Sequence, residues 1–215
     1  MNQQICYWCG TPVTKKSREH VPPLNLFPEG HRKNLITVPS CPKHNGDLSM
    51  LDERFRFVVQ AGNETEISQQ VFTQKTLTRL KREGHRGLFN NLMENSFDAT
   101  LNGKRTIGFR INAQQAFLYF EKIVRGIYFH EYKEPFEGSI TSASNYLPHP
   151  KQDLKVIIRL FDSCSSDMIE AKSENPEVFK YWHGRIKVNG HPAFAMVSRF
   201  YEETFAFSVG IPNGV

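Results

Sequence analysis

Two short ligand pairs constrain the first 45 residues of this chain more tightly than any other feature. Cys6-Tyr7-Trp8-Cys9 opens the segment and Cys41-Pro42-Lys43-His44 closes it. Each pair sets two soft donors on one tight turn, and Gly10 after the first pair lets the backbone fold round an ion. Three thiolates and one imidazole make a complete tetrahedral set for a structural Zn2+ on Cys6, Cys9, Cys41 and His44. A lone Cys-x-x-Cys would be a weak signal. Two pairs bracketing a short segment are a strong one, against the alternative of buried free cysteines and an incidental histidine. A thioredoxin-like redox motif is disfavoured because no βαβ pattern surrounds Cys6 and Cys9. Cys164 stands apart in Asp162-Ser163-Cys164-Ser165-Ser166 and reads as a small buried or loop residue.

Length and composition set the wider limits. The 215 residues, 39% apolar and 12% aromatic, suffice for a packed core. No apolar run is long enough for a membrane span, and the polar N-terminus shows no export signal before Cys6. The expected compartment is therefore a reducing cytoplasm, where paired cysteines read as metal ligands rather than disulfides. A formal net charge of +5 is a mild excess, compatible with a polyanionic partner.

The pattern along the chain predicts an α+β protein in two regions, 1–60 and 61–215, with a boundary near Gly62-Asn63. In the first, the stretch from Asn34 to Val38 predicts a short strand, ended by Pro39-Ser40. Ser49 to Val59 predicts a helix, with Leu51, Phe55, Val58 and Val59 at helical spacing. In the second, helices are expected over 67–82, 88–97 and 114–131, the last with an apolar face from Ala116 to Tyr128. The period then changes. Leu154, Val156, Ile158 and Leu160 alternate as a strand, and Asn189-Gly190 between two apolar runs signals a hairpin. Phe205, Phe207, Val209 and Ile211 alternate again, so helices are followed by an antiparallel sheet.

Between the ligand pairs lies Arg18-Glu19-His20-Val21-Pro22-Pro23, and Asn45 follows the last ligand. With its zinc frame, this segment resembles the HNH endonucleases, the ββα-metal nucleases, over about residues 6–57. The resemblance implies a zinc-framed ββα-metal module at 1–60, in a His-Asn-Asn variant. Glu19-His20 takes the place of the adjacent acid and base, Asn34 that of the central asparagine, and Asn45 the third position. Two residues depart from the common pattern: Glu19 stands where Asp is usual, and His44 where the last zinc ligand is usually Cys. By resemblance the activity is that of an endonuclease acting on DNA, and a place in restriction or defence follows only by analogy.

The chemistry also stands on the residues themselves. A neutral His20 can take a proton from water near pH 7. Glu19 and Asn45 offer hard oxygen ligands suited to a catalytic Mg2+ or Mn2+. Asn34, by analogy, fixes the His20 loop through hydrogen bonds. In isolation His20 would read as a loop histidine beside prolines; Glu19 and the zinc frame tip the reading towards catalysis.

Region 1–60 holds eight basic side chains against five acidic ones. Of these, Lys15, Lys16, Arg18, Arg32, Lys33 and Lys43 are the candidate phosphate contacts, with ordinary solvated surface as the alternative. The cluster Lys75, Arg79, Lys81, Arg82 and Arg86 has two readings: nucleic-acid contact, or favourable charge at a helix C-terminus. Nothing after Gln60 carries a recognisable functional motif, so region 61–215 is expected to serve substrate, a protein partner or a second copy. The rival function is a non-catalytic zinc module that binds nucleic acid or protein, with Glu19-His20 serving structure.

Overall fold

Short strands and turns come first, because proline punctuates the N-terminal segment. β1 (Arg18–His20) pairs antiparallel with β2 (Thr37–Pro39), placing Glu19 opposite Val38 and His20 opposite Thr37. Between them the chain makes two single-turn 3-10 helices, Leu24–Leu26 and Glu29–His31. Helices α1 (Pro42–Gly46) and α2 (Ser49–Gly62) follow. This helix is thus longer than the expected span of Ser49 to Val59.

This is a computed structural model, and it describes residues 4–13, 17–46, 48–73, 87, 90, 93–101, 103–110, 112–145, 159 and 161–214. Leu154, Val156, Ile158 and Leu160 of the alternating run, the basic cluster from Lys75 to Arg86, and Lys15 and Lys16 lie outside the described residues.

Beyond α2, helix α3 (Glu66–Val71) is capped by Thr65, whose side chain accepts from the Ser68 amide. Ser96 and Phe97 belong to a strand, not to the helix expected over 88–97: β3 (Ser96–Leu101) forms a hairpin with β4 (Lys104–Phe109). The long helix, α4 (Ala113–Tyr132), forms where periodicity places it. Asn112 caps its start by accepting from the Gln115 amide, and Lys133 ends it in the left-handed conformation.

The C-terminal half is a five-stranded antiparallel sheet in the order β5-β9-β8-β7-β6. Its members are β5 (Gly138–Ser144), β6 (Ile169–Glu170), β7 (Phe179–Val188), β8 (His191–Phe200) and β9 (Thr204–Pro212). β7 and β8 turn at Asn189-Gly190, both with positive φ (52° and 83°), as a two-residue hairpin loop demands. In β9, Ala206, Ser208 and Gly210 are buried. Phe207, Val209 and Ile211 alternate with them and pack with Cys164, Ile186, Ala193 and Ala195 in a second, smaller core. A Cβ on Gly210 would lie 2.6 Å from the Phe136 ring, so only glycine leaves that ring its place.

The main core crosses the expected boundary. Cys6, Tyr7, Val21 and Leu26 pack in the same cluster as Tyr119, Ile123, Phe200 and Tyr201. Phe55 of α2 stacks on Tyr119 of α4, their ring centroids 3.5 Å apart. The protein is thus a mixed helix-and-sheet structure with a Cys/His cluster near its N-terminus. None of the described helices is long and apolar enough to cross a membrane.

Candidate functional site

Backbone hydrogen bonds fix the Cys6–Cys9 turn. The Cys6 amide donates to Thr11 O (2.8 Å), the Gly10 amide donates to Cys6 O (2.9 Å), and Gly10 has φ +69°. The Tyr7 amide donates to Pro39 O (2.9 Å), which docks this turn onto the end of β2, two residues before Cys41. Helix α1 then presents His44, and the Asn45 amide closes its turn on Cys41 O at 3.0 Å.

The four donor atoms converge. Cys41 Sγ lies 3.2 Å from His44 Nδ1, Cys6 Sγ 3.6 Å from the same nitrogen, and Cys9 Sγ 4.0 Å from Cys41 Sγ. All four lie within 4.8 Å of one another, and the cysteines are free of disulfides. Zinc–sulfur bonds of ~2.3 Å in a tetrahedron set neighbouring sulfurs ~3.8 Å apart, so this cage could hold a metal such as zinc. The Trp8 ring stacks on His44 (centroids 5.3 Å, planes 17° apart), and the Arg125 guanidinium lies 5.2 Å from the Trp8 ring. Among the described residues no other group of three or more Cys, His, Asp or Glu converges in this way.

β1 alternates, and its two faces have separate fates. Glu19 points inward and is buried, whereas His20 is half-buried on the opposite face beside the exposed Arg18. Burial lowers the His20 pKa below its usual value, and the positive charges of Arg18 and Arg32 lower it further, against an opposing pull from Glu19. Arg18 reaches across the strand pair towards Thr37 O (3.4 Å), and Arg32 Nε donates to Phe27 O (2.9 Å). Lys33 and Lys43 are exposed.

Glu19 has both oxygens engaged. Oε1 lies 2.5 Å from Lys122 Nζ, and Oε2 accepts from the Tyr7 hydroxyl at 3.0 Å. Lys122 Nζ also reaches both Asp52 oxygens at 2.8 Å. Burial raises the Asp52 pKa to about 6, against the lowering effect of Lys122.

Asn34 sits exposed in a left-handed turn, φ 49°. Asn45 Nδ2 donates to Ser17 Oγ at 2.8 Å, tying α1 to the start of β1. Among the described residues, no hydrogen bond joins His20 to Asn34 or Asn45. The loop bearing Arg32 and Asn34 is held instead from the C-terminal region: Asn175 Nδ2 donates to Lys33 O (3.1 Å), and His31 Nδ1 lies 2.5 Å from Glu177 Oε1.

Sequence reasoning passed over Tyr7, Asp52, Lys122 and Asn175. The one signal available was that Lys122 falls at helical spacing from Tyr119 on the apolar face of α4, since a lysine is rarely buried without a partner. Comparison with protein-family models, with curated proteins and with solved structures finds no match for this chain.

Proposed function

We propose that the chain hydrolyses phosphodiester bonds in nucleic acid, DNA by the HNH resemblance, at the face of β1 that carries His20. The observation behind this reading is a half-buried histidine on β1, grouped with Arg18 of the same strand and Arg32 of the β1–β2 loop, on a strand pair anchored to the Cys/His cage. At pH 7 such a histidine is neutral and can take the proton of an attacking water. The two guanidiniums offset the phosphate charge and orient the diester. Zinc on Cys6, Cys9, Cys41 and His44 has no position left for substrate, so its part is to hold the Cys6–Cys9 turn, β2 and α1 together.

The resemblance also implies a catalytic Mg2+ or Mn2+ on Glu19 and Asn45. The arrangement of Glu19 does not fit that part, because both its oxygens are engaged inside the protein by Lys122 and Tyr7. No step is therefore routed through such a cation. The same observation favours a second reading, a zinc module that binds nucleic acid without cutting it.

The test is cleavage of plasmid, single-stranded DNA and RNA by the wild type and by His20→Ala, each with Mg2+, Mn2+ or chelator. Cleavage by the wild type that is lost in the variant, at equal zinc content, supports the nuclease. Equal cleavage by both removes His20 from the mechanism. Binding by both with no cleavage favours the binding module.

A further inference from the structure

Helix α4 meets β1 on both sides of His20. One position before the histidine, Glu19 is paired with Lys122, itself 1% exposed. One position after it, Val21 packs where a side chain at residue 126 would stand: a Cβ on Gly126 would lie 2.5 Å from Val21 Cγ2 and 2.8 Å from Cγ1. Lys122 and Gly126 are one helical turn apart, so they lie on one face of α4. A glycine inside a 20-residue helix costs about 1 kcal/mol relative to alanine, and here the close approach of Val21 supplies the reason for it. Lys122 has its protons directed at Glu19 Oε1 and at both Asp52 oxygens, while Tyr7 donates to the remaining Glu19 oxygen. A single buried ammonium therefore links β1, α2 and α4, and through Glu19 and Tyr7 it reaches the Cys6–Cys9 turn.

We infer that Lys122 and Gly126 are positioning residues for His20: the ion pair to Glu19 and the close approach to Val21 clamp the strand on either side of it. Glu19 on this account acts through the strand, paired with the Lys122 ammonium rather than with a metal ion. The inference rests on the proposed function only where it calls His20 the base; the clamp itself is a statement about where His20 stands. It also gives the helix of the second region a part in the site, since α4 completes what the zinc cage begins. The energetics favour a positional role. Burying two carboxylates on one ammonium is weak support for stability, whereas breaking such a cluster by removing one partner is costly.

The experiment uses the full zinc-loaded chain, with histidine side chains isotopically labelled and the His20 signal assigned by its loss in His20→Ala. Gly126→Ala and Lys122→Gln are each expected to shift or broaden the His20 ring resonances. Phe194→Leu, a core change on β8 where the ring packs against Tyr128 and Phe136, is expected to leave them in place at a comparable loss of thermal stability. In Val21→Ala/Gly126→Ala the methyl groups that collide with the new Cβ are gone, and the His20 resonances should return towards their wild-type positions. If the protein cuts nucleic acid, Gly126→Ala should lower kcat by about 10²-fold with little change in KM, and the double variant should recover most of it. Unchanged His20 resonances in folded Gly126→Ala, or no recovery in the double variant, would overturn the inference. A wild type that cuts nothing would instead sink the nuclease reading, and the resonances alone would then decide the clamp.

Discussion

The Tyr201 hydroxyl donates to the backbone carbonyl of Leu26, 175 positions away, and accepts from Gln60 Nε2 at 3.1 Å. Three distant parts of the chain meet at that oxygen: the turn between β8 and β9, the loop joining β1 to β2, and α2. Tyr201 is fully buried, and burial pushes its pKa up to about 12, so the hydroxyl stays protonated and able to donate. Tyr201→Phe should leave a buried carbonyl and a buried amide without this partner, a loss of about 1–3 kcal/mol. Denaturant unfolding followed by tryptophan fluorescence and by circular dichroism checks this. Because the core is shared, both probes should shift together, and separate transitions would show two independently folding regions.

Zinc is the second expectation. The wild type should carry one zinc per chain after dialysis, measured by elemental analysis. Cys41→Ser should lower zinc content and also loosen the N-terminal strands and turns, because the metal contributes folding free energy. A well-folded wild type free of zinc would count against the cage.

Asp52 predicts a pH dependence with a definite sign. Its folded pKa is about 6, above the ordinary value of 3.8. Between these values the folded state binds more protons than the unfolded one, so this group's contribution to stability rises as pH falls from 7 towards 4. The shift corresponds to at most about 3 kcal/mol. Asp52→Asn lacks this titration. The stability of the wild type relative to Asp52→Asn should therefore improve on acidification, as measured by urea midpoints from pH 7.5 to 4.5. A constant difference would show that Asp52 titrates normally.

Arg18 and Arg32 should act through charge. Replacing both by Ala should flatten the salt dependence of duplex binding, by ~0.9 in log–log slope for each phosphate no longer neutralised. Fluorescence anisotropy at several salt concentrations reads this directly, with zinc content as the control. An unaltered slope would make the pair ordinary surface.

Much of the architecture was legible in the residues because the signals were local. The Cys6/Cys9 and Cys41/His44 pairs point to a site that could hold a metal, and their donor atoms do converge. Asn189-Gly190 specifies a tight hairpin, since both residues tolerate positive φ. The period of Ala116, Phe120, Ile123, Val124 and Ile127 defines one buried helix face, and burial follows it. The alternation of β9 was readable too, although which of its faces meets α4 was not: Phe207 and Val209 lie in the smaller core, while Ala206 and Ser208 are the more buried.

Only the tertiary structure decided what the charged and polar groups do. Glu19 beside His20 offers the same carboxylate to a cation or to a buried lysine. The choice fell to Lys122, which α4 brings to β1 from a remote part of the chain. Gly126 gives no sign by itself whether it weakens a helix or admits a neighbour, until Val21 is seen against it. Periodicity and spacing report the conformation of a segment, because backbone sterics and amphipathic burial act over a few residues. The partner of a buried charge is set by packing between segments distant in sequence, and no local pattern encodes it.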